Sequence, residues 1–228
     1  MEDDKIKHDL IKSCERGDTN NVIRLIGGGI DVNFKAERGL TPLMVAIQNN
    51  RVGIVEILIK AGANIESKND AGFSPLFIAS FLGNVAIAEI LLNAGADIEI
   101  KIKNGYTPLM IAVSNGHEDM ATFLLDNGAN MENKDNKQST ALVHAVVEQN
   151  YGMTKLLLDR GAKIETKNSQ GYTPLIFALV RNEDITRLLL ERGANTGVRD
   201  IHGRSVITIA NDVGKKEIVK LLLDSITS

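Results

Sequence analysis

The sequence has no tryptophan, one cysteine and four prolines, and only nine of its 228 residues are aromatic, six Phe and three Tyr. With so few rings, the interior has to be filled by Leu, Ile, Val, Ala and Met, which suits packed helices better than sandwiches. The lone cysteine, Cys14, excludes an internal disulfide and any cysteine-based zinc site, and it fits a reducing compartment. An excess of one charge is also lacking. The 26 Lys and Arg against 29 Asp and Glu leave −3, so no general basic excess exists to release counterions from a polynucleotide. No apolar run approaches the roughly 20 residues that span a bilayer. The opening Met-Glu-Asp-Asp-Lys carries no apolar core of a secretory leader, so none is expected. Together these absences predict a largely helical, cytoplasmic or nuclear chain that binds neither nucleic acid nor membrane.

The few prolines share one phase. Pro42, Pro75, Pro108 and Pro174 are spaced 33, 33 and 66 apart, and Gly39, Gly72, Gly105 and Gly171 precede them by three. A second glycine series, Gly29, Gly62, Gly95, Gly128, Gly161 and Gly193, keeps the step of 33 until the last, which is 32. The missing residue lies between Ala178 and Ile185, in a turn. A constant period of this length marks a stack of small repeats. Within each, Thr41, Ser74, Thr107 and Thr173 stand where an N-cap hydroxyl accepts a free backbone N–H, and proline follows at the first helical position. Leu43–Ile47 then forms a short first helix, Asn50-Arg51 a polar turn, and Ile54–Ile59 a second helix with apolar residues at helical spacing. That helix stops at the second glycine, in the left-handed conformation. A ten-residue extended finger leads to the next repeat.

The recurring Gly72-Phe73-Ser74-Pro75-Leu76-Phe77-Ile78-Ala79, with Gly95-Ala96-Asp97-Ile98, resembles the ankyrin repeat over nearly the whole chain. The resemblance implies an all-α solenoid of stacked helix-turn-helix units with extended, β-hairpin-like fingers. One domain over 1–228 is expected, with repeats near 6–38, 39–71, 72–104, 105–137, 138–170, 171–202 and 203–228. The first and last are expected to be caps, because His8-Asp9-Leu10 and Ser205-Val206-Ile207 replace the Thr-Pro signature. Their helices also carry Lys5, Lys7, Lys12 and Glu15, and Lys215, Lys216, Lys220 and Asp224, as polar outer faces require. The histidine that usually follows Pro-Leu is replaced by Met44, Phe77, Met110, Val143 and Ile176, which predicts apolar packing in place of a buried hydrogen bond.

Little catalytic chemistry is visible. His8, His117, His144 and His202 sit in four different repeats, and no convergence is expected. Gly27-Gly28-Gly29 is followed by no Lys-Ser or Lys-Thr and reads as a helix end, not a phosphate cradle. Cys14 reads as a small apolar filler. No cofactor, metal or enzymatic activity is expected. Glu66-x-Lys68, Glu99-x-Lys101, Glu132-x-Lys134 and Glu165-x-Lys167 place opposite charges on one face of successive fingers. We read them as a solvated ladder, with a docking rail for a charged partner as the alternative. Asn33 resembles the finger asparagines that hydroxylases modify in this family.

The resemblance further implies a concave groove of finger tips and first-helix ends, by which repeat proteins bind other macromolecules. The third repeat would supply Asp70, Phe73, Phe81 and Leu82, and the fourth Lys103, Tyr106 and Asn115. The fifth would add Lys137 and Glu148, and the sixth Tyr172 and Arg181. Phe73, Phe81, Leu82 and Tyr106 are expected to converge as aromatic and apolar anchors; packing between adjacent fingers is the competing reading. The function expected is a non-catalytic protein–protein interaction module (scaffold, adaptor or inhibitor), monomeric by itself. Two alternatives stay open: an assembly chaperone resembling the ankyrin chaperone of the proteasome regulatory particle, and a pathogen effector directed at a host protein.

Overall fold

The structure is a computed structural model that describes residues 2–227, with side chains to residue 223. The side chain of Asp224, assigned above to a capping face, lies outside the described residues. The described residues hold fourteen α-helices in two compact units.

The first unit, Met1–Lys103 with Thr122–Ala129, contains α1 (Glu2–Arg16), α2 (Thr19–Gly27), α3 (Pro42–Gln48), α4 (Val52–Lys60), α5 (Pro75–Leu82) and α6 (Val85–Asn93). Each first helix packs on its own second helix. The first helices also pack in a row, α1 on α3 on α5, and the second helices form another, α2 on α4 on α6. The second unit, Asn104–Ala121 with Asn130–Ser228, repeats this plan. Its first helices are α7 (Pro108–Ser114), α9 (Ala141–Val147), α11 (Pro174–Arg181) and α13 (Val206–Asp212). The second helices α10 (Tyr151–Asp159), α12 (Glu183–Glu191) and α14 (Lys216–Thr227) pack in a row of their own. The remaining helix is α8 (Glu118–Asp126).

Local chemistry sets each boundary. The hydroxyls of Thr41, Ser74, Thr107 and Thr173 accept the N–H groups of Met44, Phe77, Met110 and Ile176 at 3.2–3.5 Å, and Pro occupies the first helical position. The first helices are wrapped by neighbours, so α3 buries every residue from Pro42 to Ile47. The second helices are amphipathic: α4 buries Ile54, Val55 and Leu58 and leaves Glu56 and Lys60 to solvent. It ends where Gly62 turns left-handed (φ 87°) and Ala63 N–H returns to Leu58 O at 2.9 Å. Met44, Phe77, Met110, Val143 and Ile176 are all buried, which makes the apolar replacement of the family's histidine a packing fact.

The fingers are hairpin-like but too short to build a sheet. Backbone bonds such as Asn69 N–H to Phe73 O and Asp135 N–H to Ser139 O close them, and the described residues contain one isolated bridge, Arg199 with Ser205. Tips are tied along the row by Asp70 N–H to Arg38 O (3.1 Å) in the first unit. In the second, Asn136 N–H reaches Asn104 O (3.0 Å) and Ser169 N–H reaches Lys137 O (2.8 Å). This approach excludes a side chain beneath the tip: a Cβ on Gly39 or Gly105, both at positive φ, would lie 2.8 Å from the next tip's backbone nitrogen.

The charged finger residues work along the row. The Glu66 carboxylate accepts Asp97 N–H (2.8 Å), Glu132 accepts Lys163 N–H (2.8 Å), and Glu165 accepts Asn195 N–H (2.7 Å). Asn33 begins the series by accepting Asn64 N–H (2.7 Å) while donating to Gly62 O. Lys35 and Lys68 donate to Lys68 O and Lys101 O. These rows are therefore bonded to the next finger and are more than a solvated ladder. The shortened period also has a structural account. In other turns the residue before the second helix's N-cap is left-handed: Asn50, Gly83, Gly116 and Gln149. That residue is the one missing from the turn between α11 and α12. Asn182 alone ends α11, through its N–H to Ala178 O (2.8 Å), and caps α12, through its side chain to Ile185 N–H (3.0 Å).

Candidate functional site

In the first unit, the finger at 69–73 and the end of α5 carry four predicted positions. The Asn69 side chain accepts Phe73 N–H (2.9 Å), which orients the finger so that the Phe73 ring stacks on Phe77, with centroids 4.8 Å apart at 30°. Phe73 is thus half-buried packing, and Asp70 stands exposed at the tip. Phe81 and Leu82 differ. They close α5 against Gly83 and leave 48% and 43% of their surface in water. Lys103 is exposed at the edge of this unit, its stem 3.7 Å from where a Gly72 Cβ would stand.

In the second unit, Tyr106 lies over His144, ring centroids 4.6 Å apart. Its hydroxyl is 3.3 Å from His144 Nδ1, and His144 Nε2 is 3.1 Å from Asp135 Oδ2. A carboxylate only accepts, so Nε2 carries the proton and Nδ1 accepts the Tyr106 O–H. Asp135 Oδ1 is occupied by the N–H groups of Lys137 and Ser139. Asn115 bonds back to Ile111 O at the end of α7. Glu148, at the end of α9, is exposed. Tyr172 meets Phe177 edge to face at 5.5 Å. Arg181 ends α11, exposed and in no ion pair among the described residues, beside Val180, which is 53% exposed.

A family model described as ankyrin repeats (three copies) matches residues 10–102, 98–168 and 165–228. The chain belongs to the ankyrin-repeat family. Two solved structures share the fold. The ankyrin repeat domain of Bcl-3, described as a unique member of the IkappaB protein family, is 24% identical, with a TM-score of 0.86 over 94% of this chain and 97% of that one. The human ASB11 ankyrin repeat domain is 27% identical, with a TM-score of 0.81 over 95% of this chain and 96% of that one. None of the curated proteins compared matches this sequence.

For an ankyrin-repeat chain, the Asp135–His144–Tyr106 network was the feature that sequence reasoning missed. His144 follows the usual histidine position and occupies the phase of Val45, Ile78, Ile111 and Phe177. A polar residue at an otherwise apolar phase was the signal. Burial pushes the imidazole below its ordinary pKa, and the pull of Asp135 offsets this only in part. Burial, then the Asp135 charge, push the Tyr106 hydroxyl up. At the end of the unit, Asp200 repeats the acidic position with another partner. Burial opposes its ionisation, but the N–H of Arg204, the Arg204 guanidinium (2.8 Å) and the N–H of His202 outweigh this and hold the carboxyl below its usual range. No group of three His, Cys, Asp or Glu side chains among the described residues is arranged to hold a metal ion, and no described helix is long and apolar enough to cross a membrane.

Proposed function

We propose that this ankyrin-repeat chain is a non-catalytic scaffold, adaptor or inhibitor that grips a polypeptide through finger tips and first-helix ends. Ankyrin repeats are general protein-interaction modules. One observation carries the reading beyond that: Phe81 and Leu82, adjacent at the end of α5, hold nearly half their surface in water. A chain with six phenylalanines that leaves one so exposed beside a leucine offers the kind of aromatic anchor that dominates interface energetics. The single cysteine supports action in a reducing compartment, cytoplasm or nucleus. The chain acts as a monomer.

The test is crosslinking capture from native extract with Phe81→Ala and Leu82→Ala. Both variants should melt within a few degrees of the parent and lose the crosslinked partner. Retained capture, or a large drop in melting temperature in place of a capture defect, would make these residues packing and sink the reading.

A further inference from the structure

The proposed function leaves the chemistry of the bound segment open; a cleft in the second unit narrows it. A cavity of about 170 Å³ opens between successive repeats, lined on one side by Tyr172, Phe177, Val180 and Arg181 and on the other by Asp200, Arg204 and Ile209. About 150 Å³ is enough to receive a benzene-sized group, so the cleft holds one side chain and no more. Tyr172, Ile176, Phe177, Val180 and Ile209 form its apolar wall, with Val180 53% exposed, and the 59% exposed Ile201 of the next finger lies 3.3 Å from where a Gly171 Cβ would stand.

The charges nearby are unequal in what they offer a visitor. The Asp200 carboxylate is fully buried and spent: one oxygen accepts the N–H groups of His202 and Arg204, and the other the Arg204 Nε at 2.8 Å. Arg204 is spent in turn, between Asp200 and Asp212 (3.3 Å). Arg181 remains, exposed and outside any ion pair among the described residues. Its planar fork suits a carboxylate.

From this pairing we infer that the cleft receives one leucine-sized or aromatic side chain of an extended polypeptide segment whose neighbouring residue is acidic, the carboxylate meeting Arg181. The inference rests on the interaction-module reading but uses residues remote in sequence from Phe81 and Leu82, so the two fail separately.

Random heptapeptides displayed on phage, selected on the full chain, test it. Selected peptides should converge on an apolar residue within three positions of Asp or Glu. Their synthetic versions, measured by fluorescence polarisation, should bind Arg181→Glu at least about tenfold more weakly, should be blocked by Val180→Asp, and should bind Ile23→Ala, which alters an exposed apolar residue of α2, as the parent does. Failure to converge, a basic consensus, or binding that survives Arg181→Glu would overturn the assignment. Peptides that depend on Phe81 and not on Arg181 would overturn it too, while sparing the interaction reading.

Discussion

Gln138 and Gln149 hold φ near 60° and 56°, where a side chain other than glycine is strained. Their counterparts at the finger are Gly72, Gly105 and Gly171, and at the turn Gly83 and Gly116. Gln138→Gly is expected to stabilise the fold by about 0.5–1 kcal/mol, the relief of the left-handed strain exceeding the entropy glycine adds to the unfolded chain; urea unfolding measures it. His144 gives a pH dependence with a definite sign. Its pKa is depressed in the fold, so below the ordinary 6.5 the unfolded chain takes up a proton that the native imidazole refuses. Stability therefore falls as pH drops below 6.5, until the native value is reached. From pH 8 to 5, the parent should lose melting temperature relative to His144→Val below 6.5; a difference between the two that stays constant with pH would show that this histidine has no such role. Cys14 is fully buried and its thiol is pushed up to about 12 by burial, with Glu15 adding to it. It should resist Ellman's reagent until the chain is unfolded.

Among the elements, α3, α5, α7 and α11 were legible because each carries its own start signal, hydroxyl then proline, and the second helices from α2 to α12 because each has its own glycine stop. The side-chain traffic between fingers was not. Glu66 and Lys68 look like partners in sequence, but an exposed pair two apart gains little from closing on itself. The next finger offers Glu66 an unpaired N–H at Asp97 instead. This yields a contrast: Glu66→Ala should cost about 0.5–1.5 kcal/mol, and Glu66→Gln, which keeps an acceptor oxygen, should cost less than half as much. Thermal unfolding of the two variants decides between acceptor and charge. The Asp135–His144 contact was hidden for a related reason. It joins residues nine apart in sequence that only the folded finger brings together, and no motif announces it.

Across the whole molecule, stability in a repeat protein is close to a sum of local terms and neighbour contacts, so uneven repeats imply uneven opening. The stretch 138–150 gathers several departures from the repeat pattern. It has Gln138 and Gln149 at left-handed positions, Ala141 where proline stands elsewhere, and Thr140, whose buried hydroxyl has no hydrogen-bond partner. Amides of α9 should exchange with deuterated water faster than those of α11, whose start is capped and proline-led.

Asn182 carries a consequence for how such a chain can change length. Its amide closes the preceding helix four residues back, on Ala178, where Asn150 reaches five back to Ala145; both side chains cap the helix that follows. Excising Gln149 would ask Asn150 to take over the duty Asn182 already performs, and would discard a strained residue in doing so. A period of 33 is thus a habit of these turns, which an asparagine at the hinge can shorten by one while the helices on either side keep their seats.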